Sequence, residues 1–576
     1  MKAEGSETAS PYAGRWIARL QGKIIAQGGT PAQARQAAQI ARFKEIAEIT
    51  YMPPPDPFPF SPLVERVRSI LPDQEVYLVG GAVRDALLGK VSHDLDFAVP
   101  GDAIAIARRV ANALQADFYV LDEAFDAARV IVNSLPETDP RTHESEPSSG
   151  KRRAPRDFLD FSSFRHLPGT SDSAADLDTD LQGRDFSVNS MAYDLRGGTI
   201  LDPLNGAADL RAKVIRMSSP TALQDDAIRI MRGVRLAAQL DFKIDPATRS
   251  AMKAAVQLLP GISSERQRDE LFKILDGLRP DAALRALEVL GVFPYLMPEL
   301  SPMKGVEQSA PHVLDVWGHT LRVIQYLDNI LAALNAEPQP DRGNDLFTGL
   351  LSLRLGRFRQ RISEHFSESL NLERSLRALL FFAALYHDVS KPQTKTIEAS
   401  GRIRFLGHDQ RGAEQAVQRG RAFNLSSAEI GRLQAIITNH MRFHFHVGRL
   451  EAENTPPSRK AIYRFFRDAG DAGIELILLG LADLRGTRGH LLTQATWTAG
   501  LDVARVFLEN YWEKPEEAVA PPRLLDGNEL MAELQLRPGP MVGNLLEAIR
   551  EAQAAGQIAD REEALTYARS RLAQRQ

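Results

Sequence analysis

The stretch from Val76 to Val99, VYLVGGAVRDALLGKVSHDLDFAV, constrains the fold more than any other part of the chain. It begins with four strand-favouring residues, turns at a glycine pair, and continues with a short helical pattern that another glycine ends. A second apolar run follows and carries Asp94 and Asp96 at its start. The order predicts a strand, a glycine turn, a short helix and a strand with paired carboxylates.

The residue types in this unit suit a phosphate site that faces a metal site. Gly80 and Gly81 lack Cβ atoms, so a polyphosphate can approach the backbone, and the helix start that follows favours anions. Arg84, about one turn into the helix, offers a planar fork of donors. Asp94 and Asp96 project from the same face of a strand, because side chains alternate. Two such carboxylates can share Mg²⁺ ions that activate a hydroxyl and stabilise a leaving pyrophosphate.

Composition narrows the class of protein. A chain of 576 residues is too long for one hydrophobic core, and 44% apolar with 25% charged residues is typical of a globular protein. No run of eighteen apolar residues predicts a membrane span, and the first residues lack an apolar signal core. The absence of cysteine excludes disulfides and thiolate metal sites, so a cytoplasmic location is expected. The net charge of −4 requires any nucleic-acid contact to come from local basic faces.

Changes in pattern divide the chain into six segments. We expect a small αβ appendage at 1–51, a proline-rich linker at 52–62, an α+β head at 63–215, a helical neck at 216–305, a histidine-rich helical domain at 306–500 and a helical tail at 520–576. In the appendage, two strands precede Thr30 and Pro31, which predict a helix start that continues to about Ile46.

Three further elements are predicted in the head. Ala103 to Leu114 reads as a helix, a strand begins at Val130, and the alternation of Phe158 to Phe164 predicts another strand. The polar stretch from Pro136 to Arg156 between the two strands reads as a mobile loop.

Residues 80–85, GGAVRD, with 94–96, DLD, resemble the signature of class II nucleotidyltransferases of the polymerase-β superfamily, the tRNA CCA-adding enzymes and bacterial poly(A) polymerases. The resemblance implies a polymerase-β-like head with a mixed sheet, and Mg²⁺ held by Asp94 and Asp96. It also implies a third metal-facing carboxylate, for which Asp160 matches the family's acidic position; the alternative is a solvent-facing acid on an edge strand. Arg165 matches the basic position of the same family segment.

Residues 180–193, DLQGRDFSVNSMAY, resemble the family segment that handles the ribose and phosphates of the incoming nucleotide. Arg184, Asp185 and Asn189 match it, whereas Gly183 replaces the family's first arginine. In isolation, a buried structural Arg-Asp pair would explain the same residues.

Residues 225–235 begin a helical pattern in which Asp226 and Arg229 are three apart and are expected on one helix face. One offers acceptors and the other donors, so together they could read the Watson–Crick edge of CTP or ATP, as the family's E-D-x-x-R motif does. Arg232 and Arg235 extend a predicted basic stripe that begins at Arg229. The alternative is an amphipathic helix with acids at its N-terminus.

The third group of candidates is formed by histidines and aspartates in the C-terminal half. Imidazoles and carboxylates from several helices can converge on divalent metal. The order H…HD…D resembles the HD phosphohydrolase superfamily, with two further histidines at the positions of two-metal members. The helical spacing leaves open whether His444 and His446 join the set. The candidate ligands are His319, His387, Asp388, His408, His440 and Asp483. The resemblance implies hydrolysis of phosphoesters, such as a 2′,3′-cyclic phosphate on RNA, by a metal of unspecified identity; the alternative is an inactive remnant that binds RNA.

Together these motifs predict template-independent addition of CMP, CMP and AMP to tRNA 3′ ends from CTP and ATP, with no membrane partner. A poly(A) polymerase, or an enzyme that adds only CC or only A, would share every motif named above. A hypothesis of another class is an HD phosphohydrolase with a non-catalytic phosphate-binding head. A non-catalytic RNA-binding protein is disfavoured because both predicted metal sets are intact.

Overall fold

The computed structural model divides into two units, Met1–Ala255 and Val256–Gln576. It describes residues 14–41, 46–53, 58–133, 156–164, 176–337, 345–368, 370–371 and 374–574. The strands are β1 Arg15–Leu20, β2 Lys23–Gly28, β3 Glu48–Met52, β4 Tyr77–Val79, β5 Asp94–Val99, β6 Asp117–Asp122, β7 Ala127–Asn133, β8 Arg156–Ser163, β9 Ala192–Asp194, β10 Thr199–Leu201, β11 Val214–Ile215, β12 Lys243–Ile244, β13 Lys395–Ile397 and β14 Ile403–Phe405.

Within the described residues, the first unit combines its sheets with nine α-helices, and the second unit is mostly helical. In the first unit they are α1 Pro31–Ile40, α2 Pro62–Ile70, α3 Gly81–Leu87, α4 Ala103–Leu114, α5 Leu177–Gln182, α6 Gly206–Ala212, α7 Ala222–Asp225, α8 Arg229–Leu240 and α9 Pro246–Ala255. In the second unit they are α10 Ser264–Asp276, α11 Pro280–Leu290, α12 Phe293–Leu296, α13 Val316–Ala333, α14 Leu346–Leu355, α15 Arg359–Ser367, α16 Leu376–Tyr386, α17 Lys391–Thr394, α18 His408–Ala422, α19 Ser427–Asn439, α20 Met441–Glu453, α21 Arg459–Ala469, α22 Gly473–Arg488, α23 Gln494–Trp512, α24 Pro515–Ala518, α25 Gly527–Leu534, α26 Pro540–Ala554 and α27 Arg561–Ala573.

The N-terminal module is a three-stranded antiparallel sheet, in the order β2-β1-β3, with α1 packed on it. Thr30 caps α1 as predicted, since its Oγ1 accepts a hydrogen bond from the Gln33 N–H at 3.2 Å. The prediction that this helix reaches about Ile46 is wrong, because α1 ends at Ile40 and a third strand, β3, follows. The β-branched and aromatic residues of β3, in the sequence EITYM, were the overlooked signal.

The module is held to the head by contacts with β10 and with the turn that follows it. The Trp16 indole N–H donates to the Ile200 carbonyl at 3.1 Å, and the Gln33 amide donates to the Pro203 carbonyl at 2.7 Å. The backbone of Gly29 and that of Asp202 meet directly, with the Asp202 N–H donating to the Gly29 carbonyl at 2.8 Å. Asp202 also caps α6 through the N–H groups of residues 206 and 207.

Gly29→Ala is therefore expected to loosen the module from the head. A Cβ at Gly29 would lie 1.6 Å from the Asp202 carbonyl oxygen, so one backbone must move. We expect a loss of about 1–3 kcal/mol of stability, the usual range for overpacking. Thermal unfolding measures it, with Gly101→Ala as the control because nothing lies within 4 Å of a Cβ there. Equal effects of the two substitutions would show that the close approach is unimportant.

The head is built on a seven-stranded mixed sheet in the order β10-β9-β4-β5-β8-β7-β6. Only β5 and β8 pair in parallel, with Asp96 opposite Asp160; the other pairs in this sheet are antiparallel. The predicted helix Ala103–Leu114 is confirmed with the same bounds, and the strand predicted from Phe158 is β8. Because β8 lies between β5 and β7, the edge-strand alternative for Asp160 is wrong.

Strand β6 was not predicted from the sequence, although it forms a hairpin with β7. Its side chains are mostly exposed on both faces, so it lacks the alternation that marks a half-buried strand. The predicted loop from Pro136 to Arg156 lies outside the described residues except for Arg156, which begins β8. Arg165 also lies outside them.

The second unit packs helices around α16, whose described side chains are nearly all buried. Helices α13 and α22 lie against each other and both contact α16. These three helices carry, or lead directly into, four of the six predicted metal ligands. Among the described residues, no helix combines the length and apolarity that a membrane crossing requires.

The tail, α25 to α27, has a small core of its own and contacts α21 through charged side chains of α26. Glu551 accepts hydrogen bonds from the Arg464 guanidinium at 2.7 and 2.9 Å and lies 2.8 Å from the Lys460 ammonium. The hydrogen bonds from Arg464 are the largest cause that lowers the pKa of Glu551 to about 2. The tail is thus joined to α21 by ion pairs rather than by apolar packing alone.

We expect the contribution of Glu551 to stability to depend on pH in a defined window. Its folded pKa of about 2 lies below the ordinary value of 4.5, so the contribution is fully present above pH 4.5 and is lost as the pH falls toward 2. The stability difference between the wild type and Glu551→Gln should therefore fall to less than half by pH 3. Chemical denaturation at pH 6 and pH 3 measures it, with the exposed Glu562→Gln as control. A difference that does not change with pH would contradict the prediction.

Candidate active sites

The glycine turn of the head lies directly beside the acidic strand. β4 and β5 pair so that Val79 is opposite Asp96, and the chain then turns at Gly80, whose φ is 75°. A Cβ on Gly80 would lie 3.1 Å from Asp96 Oδ2 and 3.2 Å from Arg184 Nη1. Both the positive φ and the close approach therefore favour glycine here. Gly81 begins α3.

Three acidic residues occupy one face of the sheet at this point. Asp94 and Asp96 are alternate residues of β5, and Asp160 is opposite Asp96 on β8. Asp94 is exposed, and the other two are half-buried. Carboxylates at this spacing on one face are the donor type that Mg²⁺ prefers. The structure therefore brings the three predicted carboxylates together.

A chain of polar contacts joins α3 to the segment after α5. The Arg84 guanidinium donates to Asn189 Oδ1 at 2.8 Å and to the Asp85 carboxylate. The Asn189 amide in turn donates to Asp185 Oδ1 at 3.0 Å. Arg232 on α8 lies 3.7 Å from Asp185 Oδ2. Four of the residues predicted to bind the nucleotide, Arg84, Asn189, Asp185 and Arg232, are thus one connected network.

Arg184 pairs with a residue that the sequence did not single out. Its Nε and Nη2 donate to Asp180 Oδ2 at 3.1 and 3.0 Å, and Asp180 is fully buried. The two lie at i and i+4 across the end of α5, a spacing that could have revealed the pair. The buried pair fixes Arg184 next to Gly80, so the structural and functional interpretations of this arginine are compatible.

The prediction that Asp226 and Arg229 share a helix face is wrong. Asp226 follows the last residue of α7 with extended backbone, and Arg229 is the first residue of α8. The Arg229 guanidinium is buried and donates to the carbonyls of Gly183, Arg184 and Ala222, at 2.7 to 3.1 Å. The predicted basic stripe therefore loses Arg229, while Arg232 and Arg235 remain half-buried. Carbonyls near the ends of two short helices lack partners within those helices, so they can accept hydrogen bonds from this arginine.

The head site also contains a cation that the sequence analysis missed. Arg129 on β7 lies opposite Asp160 and donates to both of its carboxylate oxygens at 2.7 Å. These hydrogen bonds, with the attraction of Asp94 and Asp96, raise the pKa of Arg129 above its ordinary value. No local spacing connects these two residues, which are 31 positions apart.

In the second unit, the six predicted ligands converge. His319 lies on α13, His387 and Asp388 follow α16, His408 begins α18, His440 lies between α19 and α20, and Asp483 lies on α22. They form two groups, and within each group the possible ligand atoms lie within 4.8 Å of one another. One group is His319, His387 and Asp483, and the other is Asp388, His408 and His440. All six side chains are buried.

Asp388 connects the two groups. Its Oδ2 lies 3.2 Å from His387 Nε2 and 3.5 Å from His319 Nε2. Its Oδ1 lies 3.5 Å from His408 Nε2 and 3.9 Å from His440 Nε2. One carboxylate thus faces both sets of imidazoles, an arrangement that can bridge two metal ions.

The orientation of three imidazoles fits metal ligation. The Nδ1 atoms of His387, His408 and His440 lie 2.7 to 2.8 Å from the carbonyls of Ala384, Phe405 and Ile437. A carbonyl only accepts, so each Nδ1 carries a proton, and Nε2 is the ring atom that each histidine turns toward the centre. Six converging donors of nitrogen and oxygen suit a divalent transition metal.

Neighbouring charges in this cluster strongly shift one another's pKa values. Burial alone would raise the pKa of Asp388, but His387 and Lys391 hold it well below its usual range. Burial, with repulsion from His408 and His387, lowers the pKa of His440 to about 3. Ionised carboxylates and a neutral imidazole are the forms that bind metal.

Two residues near this cluster were missed, and two were of uncertain phase. Lys391 lies 2.7 Å from Asp388 Oδ2, and the His312 ring lies 5.3 Å from that of His319. His444 Nε2 lies 2.7 Å from Asp483 Oδ2, whereas His446 packs against Phe507, away from the cluster. Lys391 is at i+3 from Asp388, a signal that was available in the sequence.

A cavity of about 420 Å³ opens over the cluster. Three of the predicted metal ligands form part of its wall, and basic side chains form much of the rest. Its charged and imidazole lining is Asp388, His408, Asp483, His312, His444, Lys391, Arg402, Arg404, Arg488 and Glu451. Cations around a buried cluster of imidazoles and carboxylates are suited to binding a phosphoester.

Comparison with protein-family models finds three matches along the chain. Residues 76–216 match the poly A polymerase head domain, and 241–304 match the probable RNA and SrmB-binding site of polymerase A. Residues 316–483 match the HD domain. The first match contains the glycine turn and the three carboxylates, and the third contains all six clustered ligands.

Curated proteins and a solved structure resemble most of the chain. An A-adding tRNA nucleotidyltransferase of Deinococcus radiodurans is 31% identical over 85% of this chain and 94% of its own. A CC-adding tRNA nucleotidyltransferase of Thermus thermophilus is 30% identical over 86% of this chain and 93% of its own. The apo structure of a CCA-adding enzyme matches 88% of this chain and 93% of its own with a TM-score of 0.53 at 19% identity, which supports the fold.

Proposed function

Because this chain belongs to the tRNA nucleotidyltransferase and poly(A) polymerase family and carries an HD domain, we propose that it adds CMP, CMP and AMP to tRNA 3′ ends from CTP and ATP. The observation that carries the proposal is the pairing of β4 with β5, which places the Gly80 turn beside Asp96. A phosphate-accommodating turn and a carboxylate pair thereby meet at one point. A cytoplasmic location is part of the proposal, since tRNA, CTP and ATP occur together there.

The residues of the head have separate roles in this proposal. Asp94 and Asp96 would hold Mg²⁺, which supplies activation of the 3′-hydroxyl and stabilisation of the leaving pyrophosphate. Gly80 and Gly81 leave room for the triphosphate, and Arg84 and Arg184 donate to it. Asn189 and Asp185 orient Arg84, and Asp180 orients Arg184.

Selection of the base involves the start of α8 in this proposal. Asp226 offers acceptors at the junction of α7 and α8, and Arg232 and Arg235 offer donors on the exposed side of α8. Arg229 supports this junction through the three carbonyls it binds, and so acts on the base through the backbone. This arrangement replaces the shared helix face expected from the sequence.

A second activity is proposed for the HD domain. The two ligand groups would hold a divalent metal that supplies Lewis-acid activation of a phosphoester. The cations of the cavity would bind its phosphate, and the three oriented imidazoles keep their Nε2 atoms toward the centre. A 2′,3′-cyclic phosphate at an RNA end is a substrate of this class.

The experiment supplies CTP and ATP, singly and together, to tRNA transcripts that end before CCA, after C and after CC. Single-nucleotide resolution of products decides among the alternatives. Completion of CCA on all three transcripts supports the proposal. Extension by CC only, or by A only, would make the enzyme a split-activity member, like the A-adding and CC-adding relatives described above. A long A tract would make it a poly(A) polymerase.

A further inference from the structure

Arg129 occupies the same sheet face as the catalytic carboxylates, two strands away. Asp96 on β5 is opposite Asp160 on β8, and Asp160 is opposite Arg129 on β7. The three residues form one cross-strand row, so their side chains project from the same face. A fixed positive charge thus lies at the end of an acidic row that begins at the metal-binding pair.

The guanidinium is held from two sides. Its Nε and Nη2 donate to the two oxygens of Asp160, both at 2.7 Å, which is the planar two-point geometry of an arginine–carboxylate pair. Its centre also lies 5.1 Å from the ring centroid of Phe158, two residues before Asp160. The Arg129 side chain is 36% exposed and that of Asp160 is 22% exposed, so the cation is accessible although it is immobilised.

This geometry is unfavourable for a metal ion on Asp160. Both carboxylate oxygens already accept short, charge-assisted hydrogen bonds, and a divalent cation there would be next to a guanidinium that remains protonated. Mg²⁺ at phosphoryl-transfer sites needs only one or two protein carboxylates, because substrate phosphates and water complete its shell. Asp94 and Asp96 meet that requirement without a third acid.

We infer that Arg129 is a phosphate-binding residue of the nucleotidyl-transfer site and that Asp160 orients it instead of binding Mg²⁺. The inference rests on the proposed nucleotidyltransferase function. Two of the five N–H groups of the guanidinium bind Asp160, and three remain to donate to a phosphate oxygen. That oxygen belongs either to the incoming nucleotide or to the RNA near its 3′ end.

Metal binding and steady-state kinetics of the full-length protein test the two halves of the inference. The variants are Arg129→Gln, Arg129→Lys, Asp160→Asn and Asp96→Asn. Arg108→Gln is the matched control, because Arg108 lies 5.1 Å from the Phe118 ring in the same unit but outside the site. The Mn²⁺ titration uses proteins that also carry Asp388→Asn, because the second unit would otherwise bind Mn²⁺ as well. In this background, Kd values should stay within about twofold of the parent for the Arg129 and Asp160 variants, and Asp96→Asn should lose tight binding.

In the kinetic arm, Arg129→Gln should raise one KM by about tenfold, the effect of losing a charge-assisted contact, with kcat changed much less. A raised KM for CTP and ATP identifies the nucleotide as the ligand, and a raised KM for tRNA identifies the RNA. Arg129→Lys should recover part of the loss, since it keeps the charge without the fork. Asp160→Asn should shift the same KM in the same direction.

Three results would overturn the inference. If Asp160→Asn loses tight Mn²⁺ binding as Asp96→Asn does, Asp160 is a metal ligand. Arg129→Gln that binds Mn²⁺ much more tightly would make Arg129 a competitor of the metal. Unchanged KM values would show that Arg129 touches no substrate. If the wild type adds no nucleotide, the proposed function fails, and equilibrium binding of CTP and of tRNA by Arg129→Gln still decides the role of Arg129.

Discussion

Asp96→Asn is expected to lower the rate of nucleotide addition by roughly a thousand-fold, equivalent to about 4 kcal/mol of lost transition-state stabilisation. Asp96 is the carboxylate closest to the glycine turn, since its Oδ2 lies 3.1 Å from the Cβ position of Gly80. An amide at this position keeps the shape but removes the charge that would hold Mg²⁺. Single-turnover extension of a tRNA transcript that lacks CCA measures the loss.

The same variant separates the two hypotheses about the chain. Hydrolysis of 2′,3′-cyclic AMP should persist, because the HD ligands belong to the other unit. Asp117→Asn is the control, an exposed acid on β6 of the same sheet, and it should leave both activities unchanged. Nucleotide addition that survives Asp96→Asn would exclude this carboxylate from the chemistry and favour a head that only binds phosphate.

Asp388→Asn is expected to abolish hydrolysis by the HD domain, by at least a thousand-fold, and to lower the content of bound metal. Asp388 is 1% exposed and is the only carboxylate that faces both sets of imidazoles within the described residues. The substitution also leaves the buried Lys391 ammonium without its ionic partner at 2.7 Å. Activity on 2′,3′-cyclic AMP and elemental analysis of the purified protein measure the two effects.

Loss of the buried charge could also unfold the second unit, so a matched set of variants is needed. Asp388→Glu keeps the charge and should retain more bound metal than Asp388→Asn. Asp502→Asn removes a partly exposed carboxylate that pairs with Arg354 elsewhere in the unit, and it should change neither activity. Full hydrolysis by a folded Asp388→Asn would show that the cluster is not the hydrolytic site.

Features with a local cause were predictable. The glycine turn between β4 and α3, helix α4 and the capped start of α1 all follow from residues that are near one another in sequence. The order of His319, His387, Asp388 and Asp483 along the chain likewise predicts the HD cluster. In each case the information lies within one element or in a motif that matches a family.

Errors occurred where a short segment had competing partners. Asp226 and Arg229 have helical spacing, yet the chain breaks between α7 and α8 because the Arg229 guanidinium is used by three carbonyls. The predicted helix after Thr30 is too long, because the chain instead continues into β3, which pairs with β1. Local propensity is a weak indicator where tertiary contacts compete with it.

The sequence by itself determined the family, the carboxylate pair of β5, the turn beside it and the residues of the HD cluster, since alternation and motif spacing place these residues. Only the tertiary structure decided that Arg129 binds Asp160, that Asp180 holds Arg184, and that Asp388 faces four imidazoles. Those contacts depend on strand order and helix packing between segments far apart in the chain. Physical proximity across a sheet or bundle is set by the burial of many apolar side chains together, which no local pattern records.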